Sequence, residues 1–218
     1  MPKSIDRRER PVYTVPDAAR YLGIPSTTLY SWVSTEDDEI APLEHVDQES
    51  RLLSFFDLIE AHILRATRER NVPRKRILRG IRFLKEARPG VARPLLEMDL
   101  YTHGNDLLAK GMLGPDDEAL TNASRLGQTE LEEVIKEHLR LIDHDDLGLP
   151  TRLYPKTGNR IVSITFDVLS GRPVIDGTRI STHVIAQRLK AGESADRLAQ
   201  EYRIGKDQIE AVITYEAA

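Results

Sequence analysis

The chain has 218 residues, 40% of them hydrophobic and 30% charged, with a formal net charge of −4 and no cysteine. This is enough chain to bury one core or two, and the lack of cysteine excludes a disulfide framework, a thiolate metal site and a cysteine nucleophile. The opening MPKSIDRRERPVY has no apolar core of signal-peptide length, and no segment has the roughly 18 consecutive apolar residues of a membrane helix, so a cytoplasmic protein is expected. Charge is unevenly spread: residues 62–93 hold eleven Lys or Arg against two acids, Glu69 and Glu86, whereas residues 91–218 hold 15 basic against 21 acidic residues. A basic half and an acidic half point to two kinds of partner.

In chain order, Thr14 with Asp17 forms a capping box, and Pro16 in the first turn starts a helix expected to reach Leu22 and to stop at Gly23. After Ile24 and Pro25, Ser26 is placed to cap a second helix with Leu29, Trp32 and Val33 on its apolar face. Thr27, Tyr30, Ser31 and Ser34 then point the other way. Two short helices joined by a tight, Gly-containing turn are the helix-turn-helix unit, whose second helix can enter a DNA major groove. Between Ser34 and Ser54 the helical period is lost and Pro42 and several acids intervene before Arg51, Leu52 and Leu53, a pattern expected to be a hairpin-like wing. Ser54 with Asp57 is a second capping box, opening a helix that Asn71-Val72-Pro73 breaks before another from Arg74 to Ala87.

From Pro94 to Leu126 the pattern weakens, and Leu95 to Met98, the turn at residues 101–106 and Leu107 to Met112 suggest a hairpin. Gly127 to Asp143 is expected to be helical with Leu131, Val134, Ile135, His138, Leu139 and Ile142 on one face, followed by a linker from Asp145 to Gly158 and a strand at Arg160 to Ile164. Near the end, GRPVIDGTRIS places Asp176-Gly177 between Val174-Ile175 and Thr178-Arg179-Ile180, a strong short hairpin signal. Ser181 is placed to cap a helix over Val184, Ile185 and Leu189; Gly192 ends it. Ser194 opens another through Leu198, Ala199 and Tyr202, and Ile204-Gly205 precedes a third through Ile209, Val212 and Ile213. The expected fold class is mainly α with small β hairpins, divided as 1–93, 94–158 and 159–218.

Two resemblances follow. Residues 13–33, with the core AARYLGIPSTTLYSW, resemble the helix-turn-helix of the MerR-like winged-helix class. The ending GRPVIDGTRISTHVIAQRLKAGESADRLAQEYRIGKDQIEAVITY is similar to an antitoxin-like domain of the VapB type, the DUF433 family, through Gly171, Pro173, Gly177, Thr178, Arg179, Gly192, Ala199, Tyr202 and Ile209. The resemblance implies an antitoxin that neutralises a PIN-like ribonuclease toxin and represses the shared operon by binding operator DNA, as a homodimer. The alternative is a DNA-binding transcriptional regulator whose C-terminal module only dimerises or senses a ligand.

For DNA, the candidate contacts are Thr14, Arg20, Ser26, Thr27, Thr28, Tyr30, Ser31 and Arg51, with the Arg74-Lys75-Arg76 cluster on phosphates or, as for most charge runs, merely on a solvated helix face. The presumed recognition helix holds no Arg or Lys, so base reading would rest on hydroxyls, tyrosine and shape. For the toxin or dimer, the candidates are Arg172, Arg179, Glu193, Asp207 and Glu210; the carboxylates at Asp207 and Glu210 disfavour DNA at this end. His138, Asp143, His144, Asp145 and Asp146 match no metal-ligand spacing and are expected to be a helix end, with His138 a core residue. Ser170 lacks a nucleophile elbow, so no enzyme, metal or cofactor is expected. Nor is GRPVIDGTRIS a phosphate loop, since its Asp-Gly is used as a turn and Ser181 occupies the helix cap.

Overall fold

The computed structural model describes residues 6–34, 41–44, 46, 49–97, 105–113, 123–156, 158 and 160–217, with backbone alone at 105–107, 113 and 123–127. The described residues are mainly helical and include a small four-stranded antiparallel sheet. Helix α1, Val15–Leu22, starts as the sequence predicts: Thr14 accepts the Asp17 N–H, and Gly23 closes it in the left-handed conformation at φ 63°. Helix α2, Ser26–Val33, buries Leu29, Trp32 and Val33. Pro25, not Ser26, stands at its cap, and no side chain caps it; Ser26 is already inside the first turn. The wing expected between 34 and 54 falls partly on 35–40, 45, 47 and 48, outside the described residues. The described part has no strand, only a single bridge from Tyr13 to Leu53.

Helix α3, Phe55–Glu69, opens with the Ser54–Asp57 capping box, and twelve of its fifteen residues are buried. A helix apolar on most of its circumference belongs in the middle of a core. The acids it carries inside, Asp57 and Glu60, meet Arg93, whose Nη1 donates to both at 2.9 and 2.7 Å. Helix α4, Arg74–Ala87, follows across the Pro73 break.

The hairpin expected after Pro94 is instead a 3-10 turn at Pro94–Leu96 and a helix, α5, Asn105–Leu113; residues 98–104 lie outside the described residues. Buried Leu108, Ala109 and Met112 follow the helical period. What disguises it is Gly111: a Cβ there would lie 2.7 Å from Phe83 Cβ and 2.9 Å from Gly80 Cα, and one on Gly80 would lie 2.5 Å from Met112 Cγ. The two mid-helix glycines are therefore the crossing point of α4 and α5, where the backbones approach too closely for a side chain. Helix α6, Ala123–Leu139, ends before the expected Asp143.

The expected linker holds a strand. β1, Ile142–His144, and β2, Pro150–Leu153, pair antiparallel across a turn in which the Asp145 carboxylate accepts the N–H groups of Leu147 and Leu149. Turn-forming Asp145, Asp146 and Gly148 read as a linker, whereas their chemistry closes a hairpin. β3, Val162–Thr165, and β4, Val174–Ile175, complete the order β1-β2-β3-β4. After β4 the Asp176-Gly177 turn brings Ile180 O to Ile175 N at 3.0 Å, but the returning arm makes only a single bridge, Val174 to Ser181. Helices α7, Thr182–Lys190, α8, Ala195–Tyr202, and α9, Lys206–Glu216, follow. Ser181 holds the cap position of α7 without a side-chain cap bond.

Two cores result. One runs from Tyr13 to Ile164 and is continuous across residue 93; the other runs from Val162 to Tyr215. The sheet joins them, with Ile164 in the first and Val162 and Ile175 in the second.

Candidate nucleic-acid and partner surfaces

The α1–α2 unit presents Thr27 and Tyr30 to solvent, Tyr30 being 39% exposed. Thr14 is exposed but its hydroxyl is used on Asp17 at 2.7 Å. Ser26 and Thr28 are half-buried; Thr28 Oγ1 accepts from Arg68 Nη1 at 2.5 Å, and Ser31 Oγ donates to the Thr28 carbonyl at 2.7 Å. Arg74 donates from Nε to Ser31 O and from Nη2 to Ser34 O, both at 3.1 Å. It thus covers the carbonyl end of α2, where a cation is favoured by the helix dipole. A groove of about 270 Å³ runs between Thr28, Ser31, Thr67, Arg68, Asn71 and Arg74, so α2 and the first turn of α4 do come together.

Lys75 is exposed on that first turn, and Arg76 is half-buried and engaged by neighbours. The turn carries no acid and has no side-chain cap, because Pro73 stands at the cap. The positive end of the helix dipole and these cations then lie together. Arg51 is exposed in coil, with φ 51°. Sequence reasoning passed over Thr67, Arg68 and Asn71 as contacts; their signal was their place at the break between α3 and the basic helix α4.

At the other end, Arg172 and Arg179 are exposed, as are Asp207 and Glu210 at the start of α9. Glu193 is tied to Arg188 at 2.6 Å, and Arg188 also holds Glu201 and Tyr202. These guanidinium bonds hold both carboxyls below the usual carboxylate range. Val184 and Ile213, expected on the apolar faces of α7 and α9, are instead 43% and 45% exposed. They are surface residues on two helices that pack together, and each sits beside a truly buried neighbour, Ile185 and Val212.

The two ends are docked. Tyr215 Oη donates to Tyr21 O at 2.9 Å, Arg20 Nη1 lies 3.5 Å from Glu216 Oε2, and Gly171, φ 77°, approaches the Tyr13 phenol. A Cβ on Gly171 would fall 1.9 Å from Tyr13 Oη. Burial raises the Tyr215 and Tyr13 phenols above their ordinary value. Among the buried histidines, His138 is the core residue expected, its Nδ1 bonded to Val134 O at 2.9 Å and its ring 5.0 Å from that of His62. Burial holds both imidazoles below the usual value. His144 and Asp145 lie in β1 and its turn and not at a helix end.

Residues 162–215 match the sequence profile of a family described as a protein of unknown function, DUF433, nearly the span of the second core. Over 224 residues the chain is 28% identical to a Mycobacterium tuberculosis protein provisionally named antitoxin VapB45, covering 93% of this chain and 92% of that one. A second protein of that organism, Rv2308, is 26% identical over 95% of this chain and 90% of its own. The crystal structure of Rv2018, also from M. tuberculosis, has the same fold with a TM-score of 0.72 at 23% identity, covering 95% of this chain and all of that one. This chain is thus similar along nearly its whole length to mycobacterial proteins, and its residues 162–215 match the DUF433 profile.

Proposed function

We propose that the chain is an antitoxin of a type II toxin–antitoxin pair, whose C-terminal module binds and neutralises a PIN-like ribonuclease toxin and whose α1–α2 unit acts as a MerR-like helix-turn-helix on operator DNA. The observation that carries this reading is the near end-to-end similarity to the protein named antitoxin VapB45, which extends through both the α1–α2 unit and the DUF433 region. It works by occlusion, in the cytoplasm, without catalysis or cofactor. A homodimer would place two α2 helices on the two halves of a symmetric operator.

On DNA, Thr27 and Tyr30 supply the outward polar face of α2, while Lys75 and Arg51 are the exposed cations for phosphates. At the other end, exposed Val184 on α7 and Ile213 on α9 supply apolar contacts, and exposed Asp207 and Glu210 on α9 supply acidic ones, suited to a basic nuclease surface. The test is co-expression with the product of the adjacent gene. A stoichiometric complex in which that product has lost its ribonuclease activity is expected. Alanine at Thr27, Tyr30 and Ser31 together should abolish operator binding and leave the complex intact; loss of neither sinks the site assignment. A regulator whose C-terminal module senses a ligand is the second reading, favoured by a cavity in that module; it predicts operator binding with no complex at all.

A further inference from the structure

The stretch GRPVIDGTRIS closes a cavity of about 400 Å³ against the sheet. Strand register puts Arg152 opposite Thr165 and Ser163 opposite Val174. Side chains alternate along a strand, so Arg152, Thr165, Ser163, Val174 and Asp176 share one sheet face. Leu153, Ile164, Val162 and Ile175 share the other and belong to the cores. The first face is polar and buried at its centre, where Ser163 is 1% and Val174 2% exposed, and opens outward at half-buried Thr165, Asp176 and Arg152. Val168 and the loop Gly177 to Arg179 line the same cavity. Neither core takes in the Arg152 guanidinium or the hydroxyls of Ser163 and Thr165.

Satisfaction of the polar groups is incomplete. Arg152 Nη1 donates to Tyr154 Oη at 3.2 Å and lies 3.4 Å from Asp176 Oδ1, but Arg152 Nε and Asp176 Oδ1 are buried with no hydrogen bond. Buried polar atoms rarely stay so. Arg179 is exposed at the rim and makes no hydrogen bond or ion pair among the described residues. Two guanidiniums, against one carboxylate, and the hydroxyls of Ser163 and Thr165 form a donor-rich site of modest net positive charge, which suits a monoanion and not a dianionic phosphate, while the Thr178 hydroxyl is spent on Ile175 O and Ile180 N. Among the described residues its lining has no aromatic ring on which a base could stack. Val168 and Val174 offer a short aliphatic wall, and the volume is at the small end for ligand sites.

We propose that this cavity binds the carboxylate of a short aliphatic acid, free or as an Asp or Glu side chain of a polypeptide, with Arg179 and Arg152 as the donors. It requires neither toxin nor DNA, and so stands or falls apart from the function proposed above. The test is an amide-resonance titration of the full chain with butyrate and with a blocked tripeptide, acetyl-Ala-Glu-Ala-amide. Sodium chloride, n-butylamine and inorganic phosphate serve as controls. Saturable shifts at residues 174–180 are expected for butyrate, and Arg179→Gln and Arg152→Gln should each weaken binding roughly tenfold. Arg172→Gln, outside the lining, should leave it unchanged. An equal response to the tripeptide assigns the site to a polypeptide side chain, and a response to butyrate alone assigns it to a free acid. The proposal is overturned by shifts no different from those of sodium chloride, by phosphate binding as tightly as butyrate, or by binding that survives Arg179→Gln. Because Arg179 is exposed, that variant is expected to fold and to decide the matter even where Arg152→Gln does not.

Discussion

At the scale of single residues, the contact that joins the two ends of the chain rests on Gly171. Its φ of 77° and a prospective Cβ 1.9 Å from Tyr13 Oη make Gly171→Ala costly, by roughly 2 kcal/mol or more. The Tyr13 hydroxyl is itself buried with no hydrogen bond. Tyr13→Phe should therefore lose no more than about 0.5 kcal/mol, and should recover part of the Gly171→Ala loss when the two are combined; urea unfolding of the four proteins checks this cycle. A second residue carries a pH dependence. Burial pushes the Glu60 carboxyl up to about 8 from an ordinary 4.5, against the pull of Arg93. A group whose folded-state value is raised contributes stability that is full below 4.5 and is lost as pH rises to about 8. The wild-type chain should lose stability across that window, and Glu60→Gln should flatten the loss by about 1–3 kcal/mol, measured by urea unfolding at its two ends. A Glu60→Gln chain with an unchanged pH profile contradicts this assignment.

Elements show which parts of the fold can be read from local chemistry. The caps at Thr14–Asp17 and Ser54–Asp57, the stop at Gly23 and the break at Pro73 lie within a few residues of the helices they define, and the sequence states them directly. The α4–α5 crossing is different in kind. Gly80 and Gly111 are 31 positions apart, and Gly111 lowers helix propensity locally for the sake of a contact that only the tertiary fold supplies. The β1–β2 hairpin has a distant partner as well: Arg8, far away in the chain, donates to Asp145 Oδ2 at 2.8 Å and to Pro150 O at 3.2 Å, beside the turn's own bonds to Asp145 Oδ1. The candidate surfaces divide likewise: the outward residues of α2 follow from helical period, while the use of Arg74 at the end of α2 and the exposure of Val184 and Ile213 depend on what packs beside them. Gly111→Ala should accordingly destabilise by about 1–3 kcal/mol, although alanine is the better helix former by about 1 kcal/mol. Thermal unfolding followed by helical circular dichroism measures it; a rise in stability would remove the crossing as the reason for the glycine.

Across the whole molecule, the polar α2 face with exposed Arg51 and Lys75 lies in the N-terminal half of the chain and the exposed acids Asp207 and Glu210 at the start of α9 in the C-terminal half, and α1 and α9 are in contact. DNA binding by the first half should fall steeply with salt, and Lys75→Gln should weaken it on all sequences alike and reduce the salt slope by about 1. The α1–α9 contact sets Arg20 beside Glu216 and Tyr215 against Tyr21, so the first and last helices touch directly. The central claim is that one chain binds operator DNA at one end and a toxin at the other. The most direct measurement is the purification of the full chain co-expressed with the product of its neighbouring gene, followed by a ribonuclease assay of the neighbour alone and in the complex. A stable complex, with ribonuclease activity present in the free neighbour and lost in the complex, is the predicted result. Two proteins that elute apart, with the neighbour equally active in the presence of this chain, would contradict it.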